Sequence, residues 1–219
     1  MGRVVGEELS RCYPLFPNLD RILDKKIVVC GVGGVGGFAV ECLYRTGFRN
    51  MVVIDFDRFT PSNRNRQLGS EEIGRLKVEV FEERYPGVKG INLKLTPENV
   101  PTLSHLREAD WIIDAIDHLP TKVALISCYW EKMVSSMGAG RRVDPTKVEV
   151  GTLFSSHTDP LARRLRKLVR ERSPGIDVPV VFSTEPPKEG GSFVGVTATF
   201  GLVLGSFTIR ELCKREGGS

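Results

Sequence analysis

"KIVVCGVGGVGGFAVECLYRTG", residues 26–47, decides the fold. The apolar run 26–30 reads as a buried strand bounded by turn glycines. The glycine-dense segment 31–37 follows, and a helix from about residue 36 to residue 45 stops at Thr46-Gly47. Strand, glycine turn and helix in that order match the Gly31-x-Gly33-x-x-Gly36 fingerprint of nucleotide-binding folds, with Gly34 inside the same turn. The first glycine permits the tight turn, the second lets backbone approach a phosphate, and the third brings helix and strand together. The spacing predicts a phosphate at the head of that helix. Whether it belongs to a dinucleotide or to ATP is not decided by the loop, which folds of several chemistries share.

Outward from the loop, short apolar runs alternate with amphipathic ones. "MVVID" (51–55), "INLKL" (91–95), "WIIDAI" (111–116) and "MVSSM" (133–137) read as strands. "SEEIGRLKVEVFEERY" (70–85) reads as a helix with Ser70 as its N-cap, and "PTKVALISCYWE" (120–131) as another. Alternation of this kind predicts an α/β fold with a doubly wound, mostly parallel, Rossmann-like sheet. Past Met137, "KVEVGTLF" (147–154) and "VPVVFST" (178–184) are β-like and enclose a basic helix, and "EPPKEGGS" (185–192) is a loop. We expect one domain over 1–219. It comprises an N-terminal segment (1–25), a nucleotide-binding core (26–137), and a β-rich extension of the same sheet with a final helix (138–219).

Composition narrows the setting. Of 219 residues, 41% are hydrophobic and 26% charged, as in ordinary globular proteins. The net charge of +4 permits contact with a polyanion without requiring it. Five cysteines are scattered with no C-x-x-C spacing, so neither zinc nor a disulfide framework is expected, and a reducing, cytoplasmic setting is. The N-terminus has no apolar stretch of the secretory kind. "FVGVTATFGLVLGSFTI" (193–209) approaches bilayer-spanning length, but its Gly, Thr and Ser content predicts a buried helix or a dimer interface rather than a membrane span.

Polar residues after the second strand choose the chemistry. Asp55 ends that strand, where a carboxylate can take ribose hydroxyls. "DFDRFTPSNRNRQ" (55–67) places Asn63, Arg66 and Gln67 near the phosphate, Lys77 comes next, and "DAID" sets Asp114 and Asp117 at the end of another strand, facing the same crevice. A dehydrogenase satisfies its pyrophosphate with backbone amides and leaves these cations unexplained. Attack on the α-phosphate of ATP builds charge on the leaving pyrophosphate, which Arg, Lys and Mg²⁺ can meet. Arg66 and Lys77 supply fixed positive charge, and Asp117 offers hard oxygens to Mg²⁺. These three are the expected catalytic residues.

"GVGGVG", "IDFD", "SNRNRQ", "GRLKVEV" and "DAID" resemble the adenylating domain of the ubiquitin-activating and molybdopterin- or thiamine-biosynthesis superfamily. Members adenylate a carboxylate with ATP and Mg²⁺ as homodimers or pseudo-dimers. The resemblance implies ribose at Asp55, phosphates at Asn63, Arg66, Gln67 and Lys77, and the metal at Asp117. Asp57 and the loop glycines Gly31, Gly33, Gly34 and Gly36 complete the implied ATP site. "GAGRRVDPTKVEV" (138–150), "DPLARRLRKLVRER" (159–172), "VPVVFSTEPP" (178–187) and "VTATFG" (196–201) resemble the tRNA threonylcarbamoyladenosine dehydratase branch, so the likeness runs over roughly 26–212. That branch implies a tRNA substrate modified at position 37, whose threonine carboxylate is adenylated and then closed into a ring by its own carbamoyl group. An intramolecular nucleophile needs no enzymic thiol, and no cysteine lies between residues 129 and 212. A homodimer and a sulfur-handling protein partner come with the resemblance.

In "DPLARRLRKLVRERSP", Asp159 caps the helix and Pro160 takes its first position. Leu161, Leu165, Leu168 and Val169 make an apolar face, and Arg163, Arg164, Arg166, Lys167 and Arg170 fill much of the rest. Such clustered cations can neutralise RNA phosphates. Arg141 and Arg142 are expected nearer the active site, and the expected tRNA contact comprises these two with Arg163, Arg164, Arg166 and Lys167. Family members begin with an Arg-rich segment that "MGRVVGEELSRCYPLFPNLD" matches only loosely, leaving Arg3, Arg11 and Arg21 without a role. The loops before "VPVVFST" and after "EPP" are short for the family. Two alternatives compete with the dehydratase. Adenylation of a sulfur-carrier protein's C-terminus is disfavoured by the missing zinc cysteines, and a lapsed scaffold by the intact Arg66, Lys77 and Asp117.

Overall fold

The computed structural model describes residues 7–217; Arg3 lies outside them. Its helices are α1 (Leu19–Ile22), α2 (Gly36–Arg45), α3 (Lys77–Arg84), α4 (Ser104–Arg107), α5 (Leu119–Tyr129), α6 (Pro160–Arg172) and α7 (Val194–Gly217). The strands β1 (Ile27–Cys30), β2 (Met51–Asp55), β3 (Val88–Asn92), β4 (Trp111–Asp114), β5 (Met133–Ser136), β6 (Val148–Thr152) and β7 (Pro179–Ser183) form one seven-stranded sheet. Their order is β3-β2-β1-β4-β5-β7-β6, parallel throughout except for the antiparallel β6–β7 pair. The chain winds one way from β1 through β2 to β3, then jumps across β1 to β4. The crevice beyond the carboxyl ends of β1 and β4 is therefore the switch point, where ligands bind in such sheets.

Both faces of the sheet are apolar, as buried parallel strands require. Val29 and Met51 face a core with Val40 and Leu43 of α2, Phe81 of α3 and Phe200 and Leu204 of α7. Val28 and Ile112 face a second core with Leu125 and Ile126 of α5 and Leu165 and Val169 of α6.

Helix α7 has a mean hydropathy of 1.2 over its most apolar window, half of which is buried inside the chain. Two of its glycines, Gly201 and Gly205, meet α2. A Cβ on Gly201 would sit 2.3 Å from the Val35 carbonyl oxygen, and one on Gly205 would sit 2.8 Å from Cys42 Cβ. The i, i+4 glycine pair thus brings two helices close within one chain.

Several elements depart from the pattern of the sequence. Helix α3 begins at Lys77, and Ser70 is not its cap; Ser70 Oγ donates instead to the Gln67 carbonyl at 2.6 Å. Gly74 takes φ +86°, which a helix cannot accommodate, and residues 74–77 pair with 57–59 across an Arg58–Leu76 bridge. Strand β3 lies three residues earlier than the expected 91–95, because Val88 pairs with Met51 and is buried, while Leu93 and Leu95 pack into the second core. Strand β4 ends at Asp114 rather than at residue 116, and α5 runs from Leu119 to Tyr129 rather than over 120–131.

Asp114 does not face the crevice. It is fully buried and ion-paired with the equally buried Lys122 at 2.8 Å, and it accepts the Ser135 hydroxyl at 2.6 Å. Lys122 Nζ also donates to Ser135 Oγ and to the Ser136 carbonyl, so all three ammonium protons have partners. The network clamps α5 to the ends of β4 and β5, under the loop that carries Asp117.

Two stability outcomes follow. Gly201→Leu is expected to cost about 1–3 kcal/mol by overpacking α2 against α7, whereas Arg210→Ala, exposed on the same helix, stays within about 0.5 kcal/mol. Lys122→Met strands a buried carboxylate and is expected to cost about 3–5 kcal/mol, with part of the loss recovered by adding Asp114→Asn. Urea denaturation measures both, and a wild-type midpoint for Gly201→Leu or for Lys122→Met would contradict them.

Candidate active site

The turn after β1 is closed by backbone contact. Gly31 takes φ +86° and its N–H donates to the Ile54 carbonyl at 2.8 Å. A Cβ on Gly36 would sit 1.8 Å from the Gly31 carbonyl oxygen, a clash that only glycine avoids. Asp55, 9% exposed, secures the turn from β2: one carboxylate oxygen accepts the Val32 N–H at 2.8 Å and the other accepts the Asp57 N–H at 2.9 Å. Each oxygen keeps lone-pair capacity for a further donor. Gly33 and Gly34 lie at the mouth of the turn. A Cβ on Gly34 would lie 3.2 Å from Arg66 Cγ and 3.3 Å from Thr197 Oγ1, so the loop, the arginine and the first turn of α7 meet there. The buried Thr197 did not stand out in the sequence; its signal was membership in "VTATFG".

The other expected ATP ligands take distinct places. Lys77 is only 5% exposed at the start of α3, and its Nζ reaches Asp57 Oδ2 at 3.1 Å. The 57–59 and 74–77 pairing that broke the expected helix brings these two together. Asn63 closes a capping box, its Oδ1 accepting the Thr60 N–H at 3.0 Å. Arg66 is anchored through Nη1 to the Ser62 carbonyl at 2.9 Å and to Asn65 Oδ1 at 2.8 Å. Its Nε and Nη2 have no partner among the described residues and can present a fork to a phosphate. Gln67 Oε1 is buried without a hydrogen-bond partner, and its Nε2 lies 3.8 Å from where a Cβ on Gly33 would be. An orphaned amide beside a phosphate loop fits a site that a bound molecule completes.

Asp117 is exposed in the β4–α5 loop and makes no hydrogen bond or ion pair with the described residues. That loop packs on the glycine turn: a Cβ on Gly31 would lie 3.0 Å from the Ala115 carbonyl oxygen. Among the described residues no cluster of three or more His, Cys, Asp or Glu side chains could hold a metal. One free carboxylate beside a phosphate loop suits Mg²⁺, which binds through one or two carboxylates plus phosphate oxygens and water. Burial pushes the Cys30, Cys42, Cys128 and Cys213 thiols up, Cys42 to about 11, which suppresses the nucleophilic thiolate.

The basic residues divide. Arg163, Arg164 and Lys167 are exposed on α6, and Arg141 is exposed beyond β5. Arg142 is not available to RNA. It is 2% exposed, pairs with Asp159 Oδ2 at 2.9 Å, and donates to the carbonyls of Gly138, Gly140 and Glu185. Asp159 caps α6 through the Ala162 N–H at 2.8 Å and also takes the Gly138 N–H at 3.1 Å, so this pair fastens α6 to the end of β5. Arg166 is half-buried, its Nη1 bonded to the Ser156 carbonyl at 2.7 Å and hydroxyl at 2.8 Å, which ties it to the chain before α6. At the N-terminus, the segment carrying Arg11 lies against the far end of α2, where a Cβ on Gly47 would sit 2.6 Å from Leu9 Cδ1. Ten residues of α2, about 15 Å, separate it from the glycine turn of its own chain. Arg21 donates to the Glu216 carbonyl at 3.5 Å.

The family model described as ThiF family matches residues 8–213. The tRNA threonylcarbamoyladenosine dehydratase of Haemophilus influenzae is 35% identical over 238 residues, covering 91% of this chain and 90% of that one. The tRNA threonylcarbamoyladenosine dehydratase 2 of Saccharomyces cerevisiae is 35% identical over 182 residues; the match covers 78% of this chain but only 41% of the yeast protein. The crystal structure of E. coli tRNA N6-threonylcarbamoyladenosine dehydratase in complex with ATP is 32% identical and superimposes with a TM-score of 0.91, covering 99% of this chain and 98% of that one. The likeness thus runs through the glycine turn, the Arg66 segment and the C-terminal half alike, and the chain belongs to the ThiF family, in its tRNA threonylcarbamoyladenosine dehydratase branch.

Proposed function

We propose that this protein catalyses the ATP-dependent dehydration of N6-threonylcarbamoyladenosine at position 37 of tRNA through adenylation of the threonine carboxylate. The observation that carries the reading is the position of Arg66, packed against Gly34 of the phosphate turn with two guanidinium nitrogens free. The amides of the glycine turn and the N-terminus of α2 take the triphosphate. Asp55 holds that turn by the Val32 N–H and offers its remaining lone pairs to the ribose. Asn63 Nδ2 and the Gln67 amide give the nucleotide further polar partners. Lys77, held by Asp57, and Arg66 present positive charge to the phosphates.

One carboxylate oxygen of the threonine attacks the α-phosphorus, a P–O bond breaks, and pyrophosphate leaves. Asp117 is the residue that would hold Mg²⁺, which when bound meets the charge on the departing pyrophosphate. The carbamoyl group then attacks the acyl carbon, the C–O bond to AMP breaks, and a ring remains on the base. Proximity within one side chain drives that second step, in keeping with thiols that are pushed up rather than activated.

The tRNA is read here as docking along Arg163, Arg164 and Lys167 of α6 with Arg141 nearer the base. A homodimer is proposed across the apolar face formed by Phe193, Val194 and Leu202 beside α2, each more than a third exposed. A cytoplasmic setting follows from the tRNA substrate, and the sulfur-handling partner rests on family resemblance alone.

Purified protein given ATP, Mg²⁺ and tRNA bearing threonylcarbamoyladenosine is expected to release AMP and pyrophosphate and yield a nucleoside lighter by one water. Mass analysis of the digested tRNA showing no such loss would overturn the reading. Arg66→Ala is expected to lower kcat about 10²–10³-fold, the scale of losing one donor to developing charge. Replacing Arg163, Arg164 and Lys167 together with alanine should raise KM for tRNA and flatten its salt dependence by about one unit of log–log slope per residue that contacts phosphate, leaving KM for ATP unchanged. An unaltered salt slope would remove α6 from the tRNA interface.

A further inference from the structure

Asn65 sits between the two halves of the site. It is exposed, and its side-chain amide makes two bonds of opposite sense. Oδ1 accepts from Arg66 Nη1 at 2.8 Å, and Nδ2 donates to the Ser192 carbonyl, 127 residues away in sequence, at 2.8 Å. Neither bond can be reversed: a guanidinium only donates and a carbonyl only accepts. The two partners therefore fix the amide's orientation, and the amide in turn fixes one edge of the guanidinium, leaving Nε and Nη2 free.

Ser192 is the penultimate residue of the 185–193 segment, which is pinned to the protein at both ends. At its start, the Glu185 carboxylate accepts the Val143 and Asp144 N–H groups at 3.0 and 2.8 Å. Near its end, the Arg141 N–H donates to the Gly191 carbonyl at 3.0 Å and the Arg141 carbonyl accepts the Lys188 N–H at 2.7 Å. Arg141 adopts φ +64° there, a left-handed backbone rare for a non-glycine residue. Such conformations persist where surrounding contacts over-determine them, and they cluster at functional sites. A continuous path of hydrogen bonds thus runs from Arg141 through the segment to Asn65 and on to Arg66.

We propose that Asn65 is a positioning residue that aims the Arg66 guanidinium at the phosphates and ties that aim to the 185–193 segment on the tRNA side. The inference rests on the reading of Arg66 as the residue facing the ATP phosphates. With the segment in place the guanidinium is held in one geometry; when the segment shifts, Asn65 shifts with it. Docking of the modified base beside Arg141 is in this way coupled to the readiness of the adenylation site.

Four variants test it: Asn65→Leu, Asn65→Asp, Arg66→Ala and the Asn65→Leu/Arg66→Ala double variant, each assayed for kcat and for KM of ATP and of modified tRNA. Asn65→Leu is expected to lower kcat about 10- to 100-fold, the scale of a misaimed catalytic group, with KM for ATP changing less than about threefold. The same substitution should cost nothing further in the Arg66→Ala background, because its effect passes through the guanidinium. Asn65→Asp still accepts from the guanidinium but faces the Ser192 carbonyl with a carboxylate oxygen; it is expected to recover kcat to within about threefold of wild type while raising KM for tRNA. Wild-type kcat in Asn65→Leu, an undiminished loss in the Arg66→Ala background, or an aspartate variant no better than leucine would each overturn the inference. Arg66→Ala with full activity would instead overturn the role given to Arg66.

Discussion

The site depends on one buried carboxylate. Asp55 reaches from the end of β2 to the Val32 N–H of the neighbouring turn and to the Asp57 N–H two residues past its own strand. Hydrogen bonds from backbone N–H groups to a charged acceptor are worth about 1.5–3 kcal/mol each. Here they do two tasks at once. The first holds the glycine turn open over the end of β1, with the Gly31–Gly36 contact permitting no side chain. The second sets Asp57, whose carbonyl takes the Lys77 N–H at 3.0 Å and whose carboxylate takes the Lys77 ammonium. The glycine turn and Lys77, the cation proposed to meet the phosphates, are thus registered against each other through a single side chain.

The rest of the site is assembled from the far half of the chain. Lys122 and Asp114 lock the loop bearing Asp117 from beneath, while Arg142 and Asp159 lock the start of α6 to the end of β5. Breaking either pair by removing one partner leaves an uncompensated buried charge. Both pairs lie directly behind exposed residues expected to meet ligand, Asp117 in one case and Arg141 in the other. The exposed groups stay free because buried neighbours carry the structural load.

What could be read from sequence follows from where each residue's partner lies. The β1–turn–α2 unit and the Asp159-capped α6 were legible because their defining contacts fall within a few residues of one another. Ser70 carried a valid helix-start signal that lost to pairing between residues 57–59 and 74–77, with left-handed Gly74 enforcing the break. Alternating Ile91, Leu93 and Leu95 pointed to a strand, yet the pairing of Val88 with Met51 set the register. Arg142 and Arg166 were indistinguishable by type from Arg141 and Arg163. The withdrawal of Arg142 into a carbonyl-lined niche, and the tethering of one Arg166 nitrogen to Ser156, depend on turns that come together only in the folded chain. Lys122 in "TKVALIS" could have been noticed as a lone charge in an apolar helix; its partner Asp114 could not have been assigned without the sheet.

If the threonine carboxylate becomes the bridging group to AMP, an isotope label reads that step directly. Modified tRNA carrying ¹⁸O in the threonine carboxylate, turned over with unlabelled ATP, should yield AMP with ¹⁸O on its phosphate, because the C–O bond broken on ring closure leaves that oxygen on phosphorus. Cyclised product accompanied by unlabelled AMP would contradict adenylation of the carboxylate as the route to dehydration.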